Sequence, residues 1–379
     1  MKILYSAAGT PIPGTHGGSV HALELCRALA RRGHEVHLAA LPASAGADAE
    51  LDGVLLHALR RVVPLAQLEW TAKGALRSLI KQLQPDVVVE RFYTFGGAAL
   101  SAAHALGVPA VLEINSPARD YPGSLRDTLD KLTLVRPVDR WRRRQLRISA
   151  ALYTTSRRLV PPDQQDRATV VVNGVDIERF RPGPETADTG PLRCVYVSSF
   201  RSWHGAEDLV AAVAHCVARH VPVRLTCVGE GPRWKLARAA SAEAGVENHI
   251  DFVGRVPHAR IPEFLADADV GVAPFAPDQF RALELGWFWS PIKIFEYLAA
   301  GLAVVTADVS ELKALLPANV ATFYRPSDPL ALAEALIELE ADRAAVRAMA
   351  QEARSLAKRE YTWDQQAAAV EAVLQGVVQ

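Results

Sequence analysis

CVYVSSFRSWHGAEDLV, residues 194–210, holds the fold in miniature. Cys194–Val197 is a short apolar run that reads as a buried strand. A polar loop follows, and Leu209 to Val217 then takes up the period of an amphipathic helix. Strand, loop and helix in that order make one step of a parallel sheet, and the step recurs downstream. Val223–Val228 is a second strand, followed by VGEGP. Ile250–Val253, Asp269–Ala273 and Ala303–Val305 continue the series. Parallel strands joined by helices imply right-handed βαβ units with both sheet faces covered.

The same pattern runs upstream. Ile3–Tyr5 opens as a strand. Ala22, Leu25, Cys26 and Leu29 follow a helical period that Gly33 closes at the C′ position. Glu35–Ala40, Val87–Val89, Ala110–Leu112 and Ala151–Tyr153 are further strands. Between the two series lies PGPETADTGP, 182–191, whose Pro, Gly and acidic content marks a linker. The expected class is α/β, with two doubly wound Rossmann-like parallel-sheet domains facing across a cleft. Residues 1–180 form the first domain and 181–358 the second. A C-terminal helix at 359–379, beginning near Thr362, carries Trp363, Ala367, Val370 and Leu374 and is expected to pack back on the first domain.

Composition narrows the function. The chain has 379 residues, with 42 basic and 42 acidic side chains, so it lacks the basic excess of a dedicated nucleic-acid binder. Cys26, Cys194, Cys216 and Cys227 lie far apart or in apolar runs, without metal-ligand spacing. They read as small buried hydrophobes in a reducing compartment. MKILYSAAGT is too short and too soon polar for a signal peptide, and no apolar run reaches about 18 residues. A cytoplasmic protein is expected, with a peripheral contact at the inner membrane face left open. The basic segment DRWRRRQLRIS, 139–149, fits either a solvated helix face or attraction to an anionic membrane surface or phosphorylated acceptor.

Open parallel sheets bind ligands at the carboxyl ends of their strands. After the first strand, Gly17 and Gly18 precede a helix, where bare backbone N–H groups favour an anion. The alternative is a plain connector with Ser19 as N-cap. The loop has neither GxGxxG nor GK[ST]. In the second half, Arg201 is placed to fork onto phosphate oxygens, with His204 and Gly205 at a helix entrance. Gly229, in VGEGP, is either a phosphate-approach glycine or a structural turn. In SPIKIFEYLAAG, 290–301, Ser290 fits an N-cap and Pro291 the first helical position. Lys293 and Glu296 stand i,i+3, which allows an ordinary ion pair worth under about 1 kcal/mol. Both are hemmed in by Ile292, Phe295 and Leu298, and a confined charge is costly unless something pairs it. A ligand with phosphates and hydroxyls would pair both. Asp120, Asp139 and Asp278 show no partner in the sequence, and no pair of catalytic carboxylates stands out.

These pieces together resemble the retaining nucleotide-sugar glycosyltransferases of family 4, which have the GT-B fold. The resemblance runs in order through GTHGGSVHALELCRALARRGHEV, VVVERFYTFGGAA, GVPAVLEINSP, VVVNGVDIERFRP, SSFRSWHGAEDLV, VGEGP, IDFVGRVP, DADVGVAPF and SPIKIFEYLAAGLAVV. It implies that Gly17 and Gly18 lie under a donor diphosphate and that Arg201 binds it. His204 stands where the family has a lysine, a charge that Lys293 would replace. Gly254, Arg255 and Val256 frame the nucleotide base, and Ser290, Pro291 and Ile292 bring a helix start to the donor. Glu296 matches the second glutamate of E-x7-E, which accepts from ribose hydroxyls. The first glutamate of that motif is Phe288 here, and GWFWS replaces a glycine-rich loop, which points to a less polar sugar such as a deoxysugar. Asn115 stands where many members carry an active-site histidine.

The resemblance implies transfer from a nucleoside-diphosphate sugar to an acceptor hydroxyl on a small molecule, a lipid-linked glycan or a polysaccharide. No metal and no further cofactor is expected. A nucleotide-sugar epimerase on the same fold and a non-catalytic sugar-nucleotide-binding protein are the alternatives. Acceptor choice is expected to lie near 115–127.

Overall fold

A computed structural model describes residues 1–14, 17–42, 49–59, 72–93, 96–116, 135–184, 190–281, 283 and 286–379, with only the backbone at 49 and 135–139. The chain divides into two compact units. The first comprises Met1–Gly174, Phe288–Ser290 and Trp363–Gln379; the second comprises Val175–Trp287 and Pro291–Thr362.

The first unit is built on β1 (Lys2–Ile12), β2 (Glu35–Pro42), β3 (Ala49–Leu51), β4 (Val54–Ala58), β5 (Val87–Arg91), β6 (Ala110–Ile114), β7 (Ala151–Thr154) and β8 (Ala168–Val170). The sheet order is β3-β4-β2-β1-β5-β6-β7-β8, parallel throughout except for the β3–β4 pair. Strands covered on both faces need apolar side chains at successive positions, and Val87, Val88 and Val89 are all fully buried. The Gly17–Arg31 helix packs Ala22, Leu25, Cys26 and Leu29 onto this sheet. Ser19 lies inside its first turn, so it is not the N-cap.

The Trp363–Val378 helix belongs to the same unit. Trp363, Ala367, Val370 and Leu374 enter one core with Ile3, Tyr5, Leu25 and Leu29. Each large apolar side chain so buried is worth about 1.5–3 kcal/mol. Arg31–Asp364 and Arg32–Glu371 ion pairs line the margin of that contact.

The second unit contains β9 (Leu192–Val197), β10 (Val223–Val228), β11 (Ile250–Gly254), β12 (Val270–Ala273), β13 (Ala303–Ala307) and β14 (Ala321–Tyr324), all parallel, in the order β11-β10-β9-β12-β13-β14. Strand order reverses between β9 and β12. The chain therefore leaves β9 after Val197 and β12 after Ala273 from neighbouring strand ends, where doubly wound sheets bind ligands. The unit starts at Val175, ahead of the 182–191 stretch. A Cβ on Gly183 would lie 1.9 Å from the Ala266 carbonyl oxygen, so this part of the expected linker packs within the second unit. Among the described residues no helix is long and apolar enough to cross a membrane.

Candidate donor site

Two glycines let the loops at the carboxyl ends of β9, β10 and β12 close on one another. Gly205 has φ +64° and its Cβ would sit 1.6 Å from the Pro274 carbonyl oxygen. Gly229 has φ +116° and its Cβ would sit 1.9 Å from that of Ser198. Any side chain at either position would force the strand ends apart. Arg201 is exposed and opens the short turn Ser202–His204.

His204 is drawn inward. Its Nδ1 bonds Ser198 Oγ at 2.7 Å. Burial, with Lys293 and Arg201 nearby, pulls its pKa down to about 2. The ring is neutral at ordinary pH and supplies no charge where the family resemblance leads one to expect a lysine.

The positive charge comes from the Ile292–Ala299 helix. Its N-cap is Pro291, in extended conformation, and no side chain caps it, contrary to the expected Ser290 N-cap. The Ser290 hydroxyl is instead committed to the Asn173 N–H, from which it accepts at 2.9 Å. Ile292 is half-buried at the helix start. Lys293 is partly exposed along its stem, but its Nζ is buried without a hydrogen-bond partner among the described residues. It lies 5.2 Å from the Tyr196 ring centroid and 5.4 Å from that of Phe275. Such contacts return about 0.5–2 kcal/mol, less than desolvating an ammonium costs. Burial accordingly lowers its pKa to about 7, with Glu296 acting in the opposite direction.

Glu296 makes no ion pair with Lys293. Its Oε1 lies 2.6 Å from His258 Nε2, four residues after Gly254. Gly254 has φ +82° with open space where a Cβ would be, Val256 is half-buried, and Arg255 is exposed, 3.7 Å from Glu230. Trp287 packs on Phe275 with ring centroids 5.0 Å apart, and Phe288 is buried, so bulky aromatics fill the segment where the family motif has its first glutamate.

The first unit has its own buried polar centre. Glu113, at the end of β6, receives hydrogen bonds from the Tyr5 and Tyr153 hydroxyls, from Arg91 at 3.1 Å and from the Asn115 amide. His21 Nε2 lies 2.6 Å away. Burial alone would raise the Glu113 pKa, but the His21 ring, the Arg91 guanidinium and the Tyr5 hydroxyl bring it down to about 2. Asn115 is thus tethered to Glu113. Arg91 Nη2 lies 3.5 Å from where a Gly18 Cβ would be, which sets a guanidinium beside the Gly17–Gly18 helix start. His21 also bonds the Asn173 side chain, and the Asn173 amide donates to the Ser290 carbonyl.

The sequence of this chain matches the profile for Glycosyltransferase Family 4 over residues 15–179 and that for Glycosyl transferases group 1 over residues 191–342. The chain belongs to the family 4 glycosyltransferases. Glycogen synthase from Mycobacterium tuberculosis is 26% identical over 288 residues, 74% of this chain and 66% of that protein, so the match spans just under two thirds of the relative's length. D-inositol 3-phosphate glycosyltransferase from Xylanimonas cellulosilytica is 28% identical over 98% of this chain and 94% of its own. A glycosyltransferase from Rickettsia africae has a TM-score of 0.74 at 14% identity, covering 100% of this chain and 98% of that one. Anabaena HepE in complex with UDP-glucose has a TM-score of 0.71 at 16% identity, covering 98% and 100%. At these identities the structures establish the fold, which is GT-B.

Of the anticipated residues, Arg201, His204, Gly229, Gly254, Arg255, Val256, Pro291, Ile292, Lys293 and Glu296 of this family 4 chain fall in the second unit. Gly17, Gly18, Asn115 and Ser290 fall in the first. Asp278 has a partner, the Ser327 hydroxyl. Asp120, the Asp139 side chain and most of the 115–127 acceptor segment lie outside the described residues. Sequence reasoning missed His258, Arg179, His21 and Arg91. The last three sit inside motifs that had been singled out, but side chains that act through long-range contacts have no local period to betray them.

Proposed function

We propose that this protein transfers a glycosyl group from a nucleoside-diphosphate sugar to an acceptor hydroxyl, with retention of anomeric configuration. The observation that carries the reading is Lys293, whose buried Nζ has no hydrogen-bond partner among the described residues at a strand-end switch point. A diphosphate would supply that partner. UDP-glucose in complex with Anabaena HepE, a fold neighbour, supports the same class of donor.

In the reaction the bond from the anomeric carbon to the diphosphate oxygen breaks, and its electron pair leaves with the diphosphate. The acceptor oxygen forms the new bond on the same face, and the acceptor proton passes to the departing phosphate. Negative charge develops on the leaving group, so catalysis needs fixed donors there. Lys293, Arg201 and the start of the Ile292–Ala299 helix, which no side chain caps, provide them, and Glu296 takes the ribose hydroxyls. These cations neutralise the diphosphate without a metal ion. Buried Phe288, in place of a carboxylate, favours a sugar with fewer hydroxyls.

The test is release of nucleoside diphosphate from a panel of UDP-, GDP-, ADP- and dTDP-sugars, with and without glycan acceptors. Turnover with one donor class, reduced at least about tenfold in Arg201→Ala, is expected. Absence of both turnover and nucleotide binding across the panel overturns the reading.

A further inference from the structure

Glu296 is held from behind, and the holder is identifiable atom by atom. His258 Nε2 lies 2.6 Å from Glu296 Oε1, and His258 Nδ1 lies 3.0 Å from Arg179 Nη2. A guanidinium can only donate hydrogen bonds. Nδ1 must therefore accept, which leaves the ring hydrogen on Nε2, aimed at the carboxylate. Which imidazole nitrogen carries the hydrogen is set by the partner of the other one.

Arg179 is fixed in turn by the turn it sits in. Asp176 Oδ1 accepts from the backbone N–H groups of Glu178 at 2.9 Å and Arg179 at 3.1 Å. Arg354 donates to the carbonyls of Ile177 at 2.9 Å and Phe180 at 2.7 Å, and to that of Ala299, the last residue of the Glu296 helix, at 2.5 Å. Phe180 is buried and its ring meets that of His258 at a centroid distance of 5.8 Å. One arginine thus ties the turn that presents Arg179 to the helix that presents Glu296.

We propose that His258, with its tautomer set by Arg179, is a positioning residue that occupies Glu296 Oε1 and leaves Oε2 to accept from the ribose hydroxyls, so that it sets selectivity for ribonucleotides. This rests on the donor reading above. Among the described residues Glu296 Oε2 has no hydrogen-bond partner, whereas Oε1 is spoken for. A carboxylate anchored at one oxygen cannot rotate away from a ligand at the other, and an unanchored one must be ordered at the ligand's expense.

The experiment compares binding of the best ribonucleoside diphosphate among UDP, GDP and ADP with that of its 2′,3′-dideoxy counterpart, by titration calorimetry. The wild-type protein is expected to favour the ribonucleotide at least tenfold. His258→Phe should bring that ratio to within twofold of unity while leaving dideoxynucleotide affinity within twofold of wild type. His258→Gln, whose amide nitrogen can replace Nε2–H, should restore most of the ratio. In ¹⁵N-imidazole NMR the unliganded wild-type protein should show hydrogen on Nε2, and Arg179→Met should disturb that state. Retention of the full ratio in His258→Phe, equal loss of both affinities, or an Nδ1–H tautomer overturns the assignment to His258. Failure of the wild-type protein to bind any of the diphosphates overturns the donor reading instead.

Discussion

Lys293 shows how a single residue can be costly to the fold and useful to the site. Its Nζ is buried beside two aromatic rings and has no hydrogen-bond partner among the described residues. With a folded pKa near 7, the unfolded chain binds the extra proton between pH 7 and the ordinary lysine value of 10.5. Stability of the unliganded protein should therefore rise with pH across that window. Nucleoside-diphosphate affinity should fall across the same window, because the bound anion needs the charged form. Lys293→Met should abolish both slopes, raise the Tm of the unliganded protein by removing an uncompensated charge, and weaken diphosphate binding at least about tenfold at pH 7. Scanning fluorimetry and calorimetry at several pH values decide it; a destabilised Lys293→Met protein with unchanged diphosphate affinity contradicts the account.

At the scale of elements, the sites are made by helix starts and by what satisfies them. The Ala98–Ala105 helix begins at Gly97 without a capping side chain of its own. The buried Glu90 carboxylate, from the end of β5, takes over that function. It accepts from the N–H groups of Gly97 at 2.8 Å and Leu100 at 2.7 Å, with Ala99 at 3.4 Å. Burial pushes its pKa up to about 7, against the pull of those N–H groups. Glu90→Ala strands buried donors and should cost about 2–4 kcal/mol in urea unfolding. Glu90→Gln keeps one accepting oxygen and the same shape but sets an NH2 against the N–H groups on the other side, so it should cost less than Glu90→Ala without being neutral. Equal losses would mean that packing, not capping, is what Glu90 provides. The Ile292–Ala299 helix has the opposite design: no side chain caps its first N–H groups.

At the scale of the molecule, the chain leaves the second unit at Thr362 and completes the first with its last helix. Leu374→Ala should cost about 2–5 kcal/mol, because Leu374 lies in the core with Ile3 and Leu29. The loss should appear as faster hydrogen exchange in β1 and β2, with β9 to β13 protected as before. Uniform loss in both sheets would show that the units do not unfold separately.

The alternation of apolar runs with helical periods settled the class of the fold, because strands covered on both faces must be apolar along their length and the intervening helices must be amphipathic. Motif order settled the family. Single residues were legible where chemistry conflicts with surroundings: a lysine and a glutamate amid Ile292, Phe295 and Leu298 already asked for partners. The partners themselves were not legible. Glu296 answers to His258, 38 residues away, and Glu113 collects Tyr5, His21 and Arg91 from three separate segments. The short-range reading even gave the wrong cap, Ser290, since its hydroxyl is taken by Asn173, 117 residues earlier. Periodicity and local propensity are encoded within a few residues, whereas pairing of buried polar groups is decided only when strand ends from distant parts of the chain are brought to one place. The sequence thus determined the sheets, the repeated βαβ step and the residues under electrostatic stress; the tertiary structure alone decided which of those charges find partners among the described residues and which, like Lys293, do not.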